Sequence, residues 1–149
     1  MSFFIKKALP FTALILILAT FIYSLFKFNI NTRQNRYILY FDSPNFKELC
    51  TETRFLSKNP YQDREKAFVD ELLLGPVTNR YIPLFNKKTV CEFCFVRDKT
   101  LYVGISKEAL LVSKETAEIK RGIEVFKKNI LKNFKNINTI EMYIDGKEV

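Results

Sequence analysis

The chain has 149 residues, 24 Lys and Arg against 16 Asp and Glu for a net charge of +8, and 15% aromatic residues. That length holds one domain with a real core, and four Gly with five Pro exclude collagen-like or long low-complexity stretches. The absence of any His removes Ser-His and Cys-His catalysis, imidazole acid–base chemistry and most zinc sites. The basic balance raises nucleic acid as a ligand, but Lys is abundant together with Asn, Ile, Phe and Tyr, as A/T-rich coding produces. The bases are also scattered along the chain. The densest set, Lys120, Arg121, Lys127, Lys128, Lys132 and Lys135, falls on an amphipathic helical pattern and reads as a solvated face. No nucleic acid is expected as a partner.

Residues 1–28 read as a signal-anchor. Lys6 and Lys7 precede an uncharged run over 8–26, ALPFTALILILATFIYSLF, which as a helix would reach about 28 Å, near the hydrocarbon thickness of a bilayer. Pro10 falls in the first turn, where its missing N–H costs little. Tyr23 and Lys27 stand where an interfacial ring and a snorkelling cation belong. A cleaved signal would be shorter and end in small residues, whereas Ile17 and Ile22 lie two positions before Ala19 and Ser24. An uncleaved anchor is therefore the favoured reading over a cleaved signal peptide. Lys6 and Lys7 on one side are balanced by Lys27, Arg33 and Arg36 on the other. The short basic head favours the N-terminus inside and the domain outside the cytoplasmic membrane.

Residues 29–35 (NINTRQN) are a polar tether, and 36–149 form the domain. A β-rich run over 36–41 (RYILYF) meets the turn cluster Asp42-Ser43-Pro44-Asn45, and a second short run covers 53–57. From Asp63, the expected N-cap, the period changes to 3.6, with Phe68, Val69, Leu72 and Leu73 on one face. Gly75 in the left-handed conformation and Pro76 end that helix. Runs over 89–97 and 99–105 make a hairpin at Asp98. Next, Ile119, Ile123, Phe126, Ile130 and Phe134 form one stripe of a helix beginning near Thr116. The run over 139–144 alternates Ile140, Met142 and Ile144 inward, and Asp145-Gly146 turns the chain. The order β-β-α-β-β-α-β predicts an α+β domain with a mixed or antiparallel sheet covered on one face by two helices.

The opening YILYF, then ETRFLS, DELLLGPVTNRYIPLF, VCEFCFVRDKTLYVGIS and INTIEMYIDGKEV together resemble a GerMN domain of sporulation and germination proteins, over nearly all of 36–149. The resemblance implies an extracytoplasmic binding or assembly module, similar to the ring-building modules of secretion and sporulation machines, and not an enzyme. Relatives are often lipoproteins. The first cysteine here is Cys50, so the apolar segment would replace a lipid as the anchor. Expected partners are the membrane, with peptidoglycan, an envelope protein or further copies of the chain as candidates.

Among chemical motifs, Cys91-Glu92-Phe93-Cys94 sits inside a β run, where residues three apart point to opposite faces, so buried, inert cysteines are expected. A disulfide from Cys50 to Cys91 or to Cys94 is the second reading. A single pair cannot close a tetrahedral zinc site, and no metal or cofactor site is expected. Asp42, Glu52, Asp70, Glu71 and Asp145 are the carboxylates an envelope hydrolase would use, though no spacing marks two of them as a dyad. No catalytic residue is assigned. Another alternative is a cytoplasm-facing membrane protein whose basic helix binds anionic lipid or nucleic acid.

Overall fold

The computed structural model describes residues 13–25, 34–45, 48–58, 63–111 and 116–149. The chain divides into two compact units, residues 1–34 with 57–59, and residues 35–56 with 60–149. In the first unit residues 13–25 are helical (α1) and exposed throughout. This is an apolar helix, with Leu14, Ile15, Leu16, Ile17, Phe21 and Ile22 all open to their surroundings. Thr20 answers its own hydroxyl by donating to the Ile17 carbonyl at 2.9 Å. At about 1.5 Å per residue α1 covers roughly 20 Å, short of a ~30 Å bilayer core. Among the described residues no helix is long and apolar enough to cross a membrane. The rest of the expected 8–26 span, residues 8–12 and 26, lies outside the described residues, as does most of the tether.

The remaining elements, which fall in the second unit except for the end residues Gln34 and Ser57, are β1 (Gln34–Asp42), β2 (Leu49–Ser57), α2 (Arg64–Leu73), β3 (Cys91–Arg97), β4 (Thr100–Ile105), a 3-10 turn (Lys107–Leu110), α3 (Ile119–Asn133), β5 (Thr139–Ile144) and β6 (Lys147–Glu148). The expected order holds, with β6 added after Ile144. Several boundaries move. β1 starts at Gln34, inside the expected tether; β2 starts four residues before Thr53; α3 starts at Ile119, not near Thr116. Asp63 is the N-cap of α2, as expected, but its side chain makes no capping bond.

The single sheet is corrected to two, β1-β2 and β3-β4-β5-β6. The reason lies in α3. Asn129 and Asn133, one turn apart on that helix, take up the backbone N–H and C=O groups of Tyr40 and Ile38. Side-chain amides therefore occupy hydrogen-bonding positions on β1 that a further strand would need. In the larger sheet β3 and β5 flank β4. β3 pairs with it antiparallel through the Asp98-Lys99 turn, whose two residues both have positive φ, as a two-residue hairpin of right-handed twist requires. β5 pairs with β4 in parallel, a connection that needs a long crossover, and the segment containing α3 supplies it.

The core joins both sheets and both helices of this unit. Alternation on β1 buries Tyr37, Leu39 and Phe41, and the fully buried Leu101, Val103, Ile105 and Met142 come from β4 and β5. Tyr37, Phe68 and Phe134 form a ring triangle with centroids 5.2–5.7 Å apart, spacing that suits tilted and edge-on aromatic pairs. Helix α2 ends as predicted. Gly75 has φ +82°, and its N–H bonds the Leu72 carbonyl at 3.2 Å. The companion bond of a Schellman cap is missing because Pro76 has no N–H to give.

Candidate functional site

The outer face of the four-stranded sheet carries a cluster of aromatic rings. Inward positions along β4 and β5 are filled by Leu101, Val103, Ile105, Met142 and Ile144, so the alternate residues point away from the core. Phe93 lies opposite Gly104 and Phe95 opposite Tyr102 in the β3–β4 register, while Tyr143 lies beside Gly104 in the β4–β5 register. Phe95 and Tyr102 stack at 5.2 Å and 14°. Phe93 touches both Phe95 at 6.1 Å and Tyr143 at 5.9 Å. The last contact depends on glycine, because a Cβ at Gly104 would come within 2.1 Å of the Phe93 ring. The ring lies over that gap and bridges to β5. Phe93 is 37% and Phe95 47% exposed. Tyr143 donates to Glu141 at 3.3 Å, and desolvation, reinforced by Glu141, holds its hydroxyl above the ordinary tyrosine range. Glu148 opposite Tyr143 and Arg97 opposite Thr100 supply polar residues at the margins.

The alternation of Tyr102 and Gly104 against Leu101, Val103 and Ile105 is the sequence signal for this face. The convergence of Phe93 with Tyr143, from strands about fifty residues apart along the chain, carries no local signal.

Cys91 and Cys94 are placed differently from the sequence expectation. The β3–β4 register slips between Cys91 and Phe93, so Glu92 is an extra residue in the strand. This β-bulge restores Cys91 to the same side as Cys94, next to it on the inner face, so each thiol acts on the acidity of the other. Cys94 is buried and Cys91 half-buried. The Cys94 S–H favours the Cys91 thiolate and outweighs burial, drawing Cys91 below the usual thiol range, with Lys66 helping. The same neighbour, together with burial, pushes Cys94 far up. When protonated, Cys91 donates to the Phe93 carbonyl at 3.3 Å. Cys91 opens on a cleft of about 210 Å³, lined also by Asp70, Leu73, Leu74, Thr89 and Val90. The Thr89 hydroxyl there is buried and has no hydrogen-bond partner among the described residues. Cys50 is a free thiol, in neither of the two disulfides considered for it.

Of the five carboxylates, Glu52 and Glu71 are brought together on one guanidinium. Asp42 is fully buried and held by Arg121, with contacts of 2.8 and 3.0 Å. Glu52 and Glu71 share one cation, Arg54, and Arg54 also donates to the Gly75 carbonyl at 3.0 Å. Glu52 further accepts from the N–H groups of Val77 and Thr78 at 3.1 and 3.3 Å. Burial opposes its ionisation, but Arg54 and the two amides outweigh burial and hold the carboxyl below its usual range. Asp70 pairs with Lys66 at 2.9 Å, and Asp145 is exposed in the β5–β6 turn. Of the basic set on α3, Arg121 serves Asp42, Lys128 lies 5.8 Å over the Tyr40 ring and Lys127 reaches the Val149 carbonyl at 3.4 Å. Among the described residues no group of three or more His, Cys, Asp or Glu could hold a metal ion.

Comparisons with known proteins match this architecture. The fold aligns with the first GerMN domain of the sporulation protein GerM from Bacillus subtilis at a TM-score of 0.60 and 19% identity, covering 77% of this chain and 86% of that one. It also aligns with the tandem GerMN domains of the same protein at a TM-score of 0.59 and 17% identity, covering 78% of this chain and 41% of the tandem pair. No curated protein matches the chain at a significant level. The Germane family model, described as sporulation and spore germination, matches residues 38–149, from within β1 to the end of the sequence, and the chain belongs to that family.

Proposed function

We propose that this chain is a non-catalytic assembly module on the extracytoplasmic side of the membrane, tethered by the apolar 8–26 segment and docking on a second copy through its aromatic sheet face. The observation that carries the reading is the cluster of Phe93, Phe95, Tyr102 and Tyr143 in mutual contact on the side of the sheet away from the core. Exposed apolar clusters with a polar rim mark interaction surfaces, and aromatic residues dominate interface energetics. A second copy is the occupant we favour because the related GerM from Bacillus subtilis carries GerMN domains in tandem, so domains of this kind occur together. Tethering would also hold copies in a common plane, raising their effective concentration. A non-catalytic role is supported by the chain's lack of His and by the commitment of Asp42, Glu52 and Glu71 to structural ion pairs.

Two experiments on the full chain test the reading. A phosphatase fused after Val149 should be active and a cytoplasmic fluorescent reporter there dark; the reverse pattern contradicts the extracytoplasmic placement. Two differently tagged full chains expressed together should co-purify from detergent, and Phe95→Ser in both should abolish this. Retention on peptidoglycan sacculi that depends on Phe95, without co-purification, would replace the second copy by glycan as the occupant.

A further inference from the structure

We infer that Cys91 and Cys94 are a reversible dithiol–disulfide pair, with Cys91 the attacking thiol approached through the cleft between α2 and the start of β3. The bulge is the first support. In a regular strand these positions would face opposite ways, but the extra residue Glu92 puts both on the inner side, as neighbours in register with Ile105 and Val103. Bulges re-aim side chains in this manner.

Asymmetry of access is the second support. Cys94 is 8% exposed and enclosed in the core, while Cys91 lines an open cleft with Asp70, Leu73 and Thr89. Thr89 leaves an unpartnered hydroxyl on that wall. One accessible thiol backed by one enclosed thiol is the arrangement of an attacking and a resolving cysteine. The Cys91 thiol lies below its usual range because the Cys94 S–H outweighs the opposing effect of burial, which agrees with these roles. Cys50, on β2, has no such partner.

The oxidant is a disulfide, small-molecule or protein, and the step balances. The Cys91 thiolate attacks one sulfur of the incoming disulfide, whose S–S bond breaks, and its first thiol leaves with a proton from water. Cys94 then gives its proton to solvent and attacks the Cys91 sulfur, releasing the second thiol. The protein loses two protons and two electrons, and the oxidant becomes two thiols. A dithiol reductant runs the sequence backwards.

Oxidised glutathione is the probe, applied to the folded full chain in detergent, followed by acid quench, denaturation, alkylation and trypsin. Both cysteines fall in one tryptic peptide, 89–97, and Cys50 in another, 48–54. The 89–97 peptide should be lighter by two hydrogens and unalkylated, and dithiothreitol should restore two alkylated cysteines in it. In Cys94→Ser the intermediate should be trapped as a glutathione adduct on Cys91. In Cys91→Ser, Cys94 should stay reduced. Unfolding of either serine variant, detected by circular dichroism, leaves the wild-type peptide mass as the deciding result. Glutathione on both cysteines without an internal link, a link from Cys50 to either one, or a fully reduced 89–97 peptide would each overturn the inference.

Discussion

Asn129 of α3 and Tyr40 of β1 are joined by two hydrogen bonds, the Tyr40 N–H donating to Asn129 Oδ1 and Asn129 Nδ2 donating to the Tyr40 carbonyl, both at 2.8 Å. Asn129 is fully buried, and its Nδ2 also reaches the Val125 carbonyl at 2.9 Å. A helical side chain thus does for β1 what another strand would. Asn133 repeats the pairing one turn on, with Ile38. The pair ties β1 to α3 and separates the two sheets. Asn129→Leu keeps the approximate volume but orphans two backbone groups, so it should cost about 2–4 kcal/mol in urea unfolding. A loss below ~0.5 kcal/mol would show that water replaces the amide at no cost.

Gly75 offers a backbone test. Its φ of +82° is strained for any residue with a Cβ, and that atom would sit 3.3 Å from Pro83 Cβ. Gly75→Val should destabilise by on the order of 1 kcal/mol or more, read as a lowered urea midpoint with unchanged slope. An unchanged midpoint would refute the capping account of α2.

Acid should weaken the domain partly through Glu52. Its folded pKa lies below the usual value of 4.5, so the unfolded chain binds the proton more readily. The stabilisation is fully present above the unfolded pKa and is lost as pH falls through the lowered folded one. Unfolding midpoints should therefore begin to drop as pH falls below the usual value of 4.5. Arg54→Met, which removes the shared cation, should lower stability at pH 7 and flatten that acid dependence. An equally steep acid dependence in Arg54→Met assigns it to other groups.

Gly104 separates surface organisation from core stability. Gly104→Val should drive the Phe93 ring off the strand, since even a Cβ would meet it at 2.1 Å. The ring is partly exposed and can swing into solvent, so the stability cost should stay near ~1–2 kcal/mol. Self-association should fall nonetheless, because the Phe93–Tyr143 contact is lost. Retained association in the variant would remove Phe93 from the docking surface.

Much of this fold was legible in local pattern. The stripe Phe68, Val69, Leu72 and Leu73, the Gly75-Pro76 stop and the alternation of Ile140, Met142 and Ile144 each follow from one element's own period. What escaped depended on partners distant in sequence. Asn129 reads as one more polar residue on a helix, and only the position of β1 makes it a cap for Tyr40. Glu92 became a bulge because β4 fixes the register, and that extra residue reversed the expectation for Cys91 and Cys94. The aromatic face likewise needs Tyr143 delivered by a parallel crossover, which composition does not specify.

Sedimentation equilibrium of the detergent-solubilised full chain, with micelle density matched, measures the central claim most directly. Wild type should sediment as an association of two or more chains, and Phe95→Ser as a single chain with an unchanged circular dichroism spectrum. A wild-type protein that remains a single chain at every concentration, or an association untouched by Phe95→Ser, would contradict assembly through the aromatic face.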